Sequence, residues 1–200
     1  MEGSINFSDV GPVIKDKPTT KIIVMYSGVI GKMYGIMNLV EAIISLGSGY
    51  ELWLYGGGDL ENQILEISKK YDNIKFYGYC SDRKKILYYQ MKATILISLI
   101  NPKDPVSNYC FPSKIFEYLL SESLVVSTKI NGIPNEYFDY LIPLKSVEVE
   151  DIKETLKYIS KMPHCDRAEI GKKGRKFVLE NKNIDVQAKK ILEFIKYEKK

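Results

Sequence analysis

The chain has 200 residues, a hydrophobic fraction of 45%, a charged fraction of 27% and a net charge of +4. That length holds one well-cored domain and not two full ones, the composition is that of a globular protein, and the basic excess is too small for a dedicated nucleic-acid binder. No run of 18 apolar residues is present to span a membrane, no basic-then-apolar signal peptide is visible, a single histidine excludes a His-rich metal site, and that one, His164 beside Pro163, leaves no basis for a serine-type triad.

Residues 1–20 carry Gly, Ser, Asp and Pro without periodicity and read as a flexible lead-in or inter-domain linker. Lys21–Tyr26 is a short apolar run, expected as a buried strand, followed by a loop with Gly28 and Gly31. Ile36, Val40 and Ile43 recur at helical spacing, and Gly47 is a natural stop. Glu51–Tyr55 is a second strand, and Gly56-Gly57-Gly58 a turn that lacks dinucleotide G-x-G-x-x-G spacing. Asp59 is placed to cap a helix carrying Leu60, Ile64, Ile67 and Tyr71. Ile74–Tyr77 is a third strand, and Ser81 or Asp82 opens a helix to about Met91. Thr94–Leu99 is a fourth strand, trailed by a long loop with Pro102 and Pro105. Pro112 is expected to open the next helix, before a fifth strand at Leu124–Ser127. A short helix near Pro134, a brief strand at Leu141–Leu144 and two or three amphipathic helices from about Glu148 complete the pattern.

Strands alternating with helices at this spacing imply an α/β fold, a Rossmann-like parallel sheet of about six strands with helices on both faces. Ligands in such folds sit beyond the carboxyl ends of the strands. Cys80, Cys110 and Cys165 form no C-x-x-C pair and read as free thiols of a reducing compartment. His164, after Pro163, reads as a plain surface residue, and Lys196, Lys199 and Lys200 as a solvated face.

The stretch Phe111-Pro112-Ser113-Lys114-Ile115-Phe116-Glu117 carries the most chemistry. A helix opened by Pro112 would leave the amides of Ser113 and Lys114 free at its positive end, a site for phosphate. Lys114 adds a cation there. Glu117, three residues on, shares its face and suits a ribose diol, which donates two hydrogen bonds to a carboxylate. On this stretch alone, an exposed Lys114–Glu117 ion pair of about 0.2–0.5 kcal/mol explains the pattern equally well.

Several motifs occur in a familiar order. They are Tyr26-Ser27-Gly28 with Tyr34-Gly35 and Leu39-Val40-Glu41-Ala42, Leu54-Tyr55-Gly56-Gly57-Gly58-Asp59, and Ile74-Lys75-Phe76-Tyr77-Gly78-Tyr79. The stretch from Phe111 to Leu119, Val125-Val126-Ser127 and Gly132-Ile133-Pro134-Asn135-Glu136 follow. From about Lys21 to Leu179 this order resembles the carboxy-terminal, donor-binding domain of retaining GT-B glycosyltransferases, the group-one class called glycosyltransferase family four. The resemblance implies transfer of a sugar from a UDP- or GDP-sugar, with retention, no metal and no cofactor. It implies that Glu117 binds the donor ribose, as the second glutamate of the family's E-x7-E motif, and that Gly28, Gly31, Lys32, Ser113 and Lys114 meet the diphosphate. Tyr79 and Cys80 fall where backbone groups meet the base, and Asn108, Tyr109 and Phe111 near the donor sugar. Tyr109 stands where the family has its first glutamate, and the family's first-loop Arg and Lys fall near Val29 and Tyr34. Lys32 is placed to substitute. No catalytic residue is assigned.

The resemblance also implies a missing N-terminal acceptor domain, supplied in cis or in trans. Residues 21–180 would be the donor domain, and a helix within 181–200 would pack toward the missing half. The expected setting is polysaccharide or glycolipid synthesis in the cytoplasm, at the inner face of the membrane through the acceptor. The expected partners include no nucleic acid, and the chain alone is expected to be inactive. The alternative, favoured by the lost Glu, Arg and Lys positions, is a non-catalytic nucleotide-binding or partner-binding module of the same fold.

Overall fold

The computed structural model describes residues 20–198. The expected lead-in therefore lies outside the described residues, apart from Thr20, as do Lys199 and Lys200. Six strands form one sheet: β1 (Ile22–Ser27), β2 (Tyr50–Tyr55), β3 (Ile74–Phe76), β4 (Ile95–Ser98), β5 (Leu124–Thr128) and β6 (Ile142–Leu144). The order is β3-β2-β1-β4-β5-β6 and every pairing is parallel. This is the Rossmann order.

Among the described residues, α1 (Ile36–Leu46), α2 (Glu61–Lys70), α3 (Arg83–Lys92), α4 (Lys114–Leu120), α5 (Val149–Lys161) and α6 (His164–Asn181) flank the sheet, and α7 (Ile184–Glu198) follows with an exposed surface. Alternate strand residues face opposite sides, so each face has its own core. Val24, Tyr26, Leu52, Leu54, Ile95, Ile97 and Val126 pack with α1, α2 and α5. Ile23, Met25, Leu96 and Val125 pack with α4 and α6 on the other face. Strands buried on both faces read as continuous apolar runs, which is why TILISL and LVVS stand out in the sequence. No helix among the described residues is long and apolar enough to cross a membrane.

Three local expectations need correction. First, Pro112 does not open α4, which starts at Lys114. The Ile115 amide donates to the Pro112 carbonyl at 2.9 Å, so the proline closes a tight turn ahead of the helix. Second, Asp59 does not cap α2, whose N-cap is Leu60 without a side-chain bond. The amides of Leu60 and Glu61 are taken by the carbonyls of Ile30 and Gly58, leaving the Asp59 carboxylate no role there. Third, β3 ends at Phe76, one residue before Tyr77. Of the two residues proposed to open α3, Asp82 is the cap and accepts from the Lys85 amide at 3.1 Å. His164 is exposed at the first turn of α6.

Candidate functional site

β1 is followed by a crossover to β2 on one side, while β4 leads to β5 on the other. The connections that leave the carboxyl ends of the paired strands β1 and β4 therefore run in opposite directions along the sheet, and open α/β sheets form their crevice there. A cavity of about 600 Å³ lies beyond these strand ends. That volume suits a small-molecule site, which typically spans roughly 300–1,000 Å³. Its wall comes from the end of β1 and the loop after it (Ser27, Gly28, Val29), the end of β2 and the loop after it (Tyr55, Gly56, Gly57) and the loop after β3 (Tyr79, Cys80), with Ile86 of α3 and Lys114 and Glu117 of α4.

Backbone bonds zip the loops together. Gly28 N donates to Tyr55 O at 2.9 Å, Ile30 N to Gly57 O at 3.0 Å, and Gly56 N to Gly78 O at 2.8 Å. Such close approach requires glycine at position 56, where φ is +139° and a Cβ would stand 1.8 Å from Gly28 O. The Gly56-Gly57-Gly58 turn is thus both a strand exit and part of the cavity wall.

Behind the wall, the buried Tyr118 ties α4 to the first loop. Its hydroxyl accepts from Ser27 N at 2.9 Å and donates to Ser27 O at 3.2 Å. Gln90 donates to Ser27 Oγ at 3.3 Å from α3. Burial pushes the Tyr118 phenol up to about 12, so it stays a neutral donor.

Lys114 is no solvated cation. Its Nζ lies 4.1 Å from the centre of the Tyr26 ring and presses into the space above Gly28. Burial drives the ammonium down from 10.5 to about 8, against an opposing pull from Cys110 and Glu117. Among the described residues no carboxylate pairs with it. Glu117 pairs instead with Arg83 of α3, Oε1 to Nη2 3.1 Å. The simple Lys114–Glu117 ion pair is therefore not the arrangement adopted.

Of the sequence-derived site residues, Gly28, Tyr79, Cys80, Lys114 and Glu117 converge on the cavity. Tyr79 is 78% exposed at its mouth. The others are not among its lining residues. Gly31 is buried near Asp59 and Tyr34, and Lys32 is exposed in a short 3-10 turn. Ser113 is exposed just before α4. Asn108 Oδ1 accepts from Asn131 Nδ2 at 2.7 Å, and Tyr109 is 90% exposed. Phe111 turns toward the core, its ring centre 5.1 Å from Phe116 and 5.2 Å from Tyr137. Sequence reasoning missed Tyr26, Tyr55, Arg83 and Tyr118. Tyr55 ends a strand at a glycine turn and could have been found that way; Arg83 carries no local signal.

The sequence model of the family described as Glycosyl transferases group 1 matches residues 12–177. The chain belongs to the group 1 glycosyltransferases. No curated protein matches it in sequence. A glycosyltransferase from Rickettsia africae superposes with a TM-score of 0.70 at 22% identity, over 90% of this chain and 48% of its own. HepE of Anabaena, solved in complex with UDP and glucose, gives 0.70 at 14% identity, over 89% of this chain and 49% of its own. Sucrose-phosphate synthase of Thermosynechococcus elongatus gives 0.73 at 20% identity, over 98% of this chain and 51% of its own. At these identities the likeness is one of fold. The group 1 chain has the architecture of one Rossmann-like half of a GT-B glycosyltransferase and spans about half the length of these structures.

Proposed function

We propose that this chain is the donor-binding half of a retaining, metal-independent glycosyltransferase that takes a UDP- or GDP-sugar. The observation that carries the reading is the cavity itself. It gathers a cation without a carboxylate partner, Lys114, and the ribose-suited Glu117 at the β1/β4 switch point. HepE, of the same fold, was solved with UDP and with UDP-glucose. In this reading Lys114 meets the diphosphate and Glu117 accepts from the ribose diol. Tyr79 and Cys80 border the base, and Gly28 lets the first loop approach the phosphates. Gly31, Lys32 and Ser113 serve the phosphates in this reading, and Asn108, Tyr109 and Phe111 the sugar, although none of them lines the cavity. The acceptor half comes in cis or in trans, in polysaccharide or glycolipid synthesis at the cytoplasmic face of a membrane, and the chain alone turns nothing over. Measured sugar transfer by the isolated chain would overturn that last point.

Calorimetric titration with UDP and GDP tests the site. One of them is expected to bind, and Glu117→Ala to weaken it by about tenfold to a hundredfold, the scale of a lost charge-assisted hydrogen bond. A second reading, a non-catalytic module, is favoured by the loss of the family's Arg and Lys near Val29 and Tyr34 and by the outward-facing Tyr109 at its Glu position. Absence of binding to either nucleotide would select it.

The ammonium of Lys114 sets a pH dependence. Phosphate binding needs the proton, and the free site loses it near pH 8. Affinity is expected to be nearly level between pH 7 and 7.5, where the diphosphate is ionised, and about tenfold weaker at pH 9 than at pH 7. A pH series of nucleotide titrations checks this; a flat profile to pH 9.5 would separate Lys114 from the phosphates.

A further inference from the structure

Lys114 sits in an unusual seat. The Tyr26 ring beneath it is fully buried on β1, and its hydroxyl donates to Val29 O at 2.9 Å. A Cβ at Gly28 would fall 2.5 Å from the Lys114 nitrogen and 3.4 Å from its Cε. The ammonium therefore fills the volume that any other residue at 28 would claim. The titratable groups around it are the Tyr26 and Tyr118 phenols, the Cys110 thiol and the Glu117 carboxylate, the last engaged by Arg83. Gly28 thus makes room first for a protein cation.

A carboxylate in the place of the ring would hold the cation more tightly, but it would also cancel its charge and repel a phosphate. An aromatic face attracts a cation through its quadrupole and adds no net negative charge. We propose that Tyr26 is a positioning residue: its ring and the open side of Gly28 form a socket that holds the Lys114 ammonium at the cavity wall for the phosphates of the donor. The proposal rests on the nucleotide-sugar reading for its ligand, and on the socket geometry alone for the rest. It also explains how the fold keeps a cation at this wall although the family's first-loop Arg and Lys fall near Val29 and Tyr34, where both are missing.

The test uses the full chain with Phe at position 26, then with phenylalanines of increasing ring fluorination at that position. These keep the shape of the ring while draining its quadrupole. The first readout needs no ligand: the pH midpoint of Lys114, followed by NMR of its side-chain methylene. The midpoint is expected to fall stepwise with fluorination, by roughly one pH unit across the series. UDP or GDP affinity at pH 8 is expected to fall severalfold in the same order. A midpoint indifferent to fluorination, in folded variants, overturns the socket. A midpoint that follows fluorination in a chain binding neither nucleotide upholds the socket and overturns its assignment to a donor phosphate.

Discussion

Lys114→Met is expected to weaken nucleotide binding about a hundredfold and, at the same time, to stabilise the fold. Both effects follow from one group. The folded state holds the Lys114 proton less tightly than the unfolded chain, about 8 against 10.5. The penalty for burying the charge is therefore full below pH 8 and fades between pH 8 and 10.5. It amounts to at most about 3 kcal/mol, counted net of the Tyr26 contact. Methionine keeps the length of the side chain and removes the charge. Urea unfolding at pH 7 is expected to show a gain of about 1 kcal/mol, with no gain at pH 10.5. Calorimetry of the same variant should show affinity lower by about a hundredfold, the scale of a lost contact between charged groups. A methionine variant that binds as well as the parent would place the phosphates elsewhere.

Gly56→Ala is expected to be the most damaging single substitution at the cavity. The Cβ would meet Gly28 O at 1.8 Å and Gly28 C at 2.9 Å, and φ of +139° is strained for any L side chain. Both clashing atoms are backbone, held by the Gly28 N to Tyr55 O bond. Relief requires the first loop to leave the second, opening the cavity wall. A loss of at least about 3 kcal/mol is expected, measured by urea unfolding. Gly47→Ala is the matched comparison: it also has positive φ, +77°, but nothing lies within 4 Å of its Cβ position. Its loss should stay near about 1 kcal/mol, the backbone strain alone. Equal losses at the two positions would mean that the loops are not locked as described.

The sheet was legible because its physics is local. The central strands are apolar runs of four to six residues, and α1 and α2 show their helical period. The start of α4 was harder to read. Pro at the first helical position is common, but here the Pro112 carbonyl receives the Ile115 amide in a turn of its own. Asp59 misled for a similar reason, since the amides at the start of α2 went to backbone carbonyls, Ile30 of the first loop and Gly58 of its own turn. At the site, Lys114 and Glu117 stood out by type and spacing, yet their states did not. Nothing in the sequence places Arg83 against a carboxylate 34 residues away, because that pairing depends on how α3 and α4 meet. Nor does it show that Lys114 turns inward onto Tyr26, since the room it occupies is the missing side chain of Gly28.

The claim that this cavity is a donor site is tested most directly by a crystal structure of the chain soaked with UDP or GDP. The expected result is one nucleotide in the cavity, with a phosphate oxygen within hydrogen-bond distance of Lys114 Nζ and the ribose hydroxyls on Glu117. A nucleotide bound elsewhere on the chain, or held without contact to Lys114 and Glu117, would contradict it.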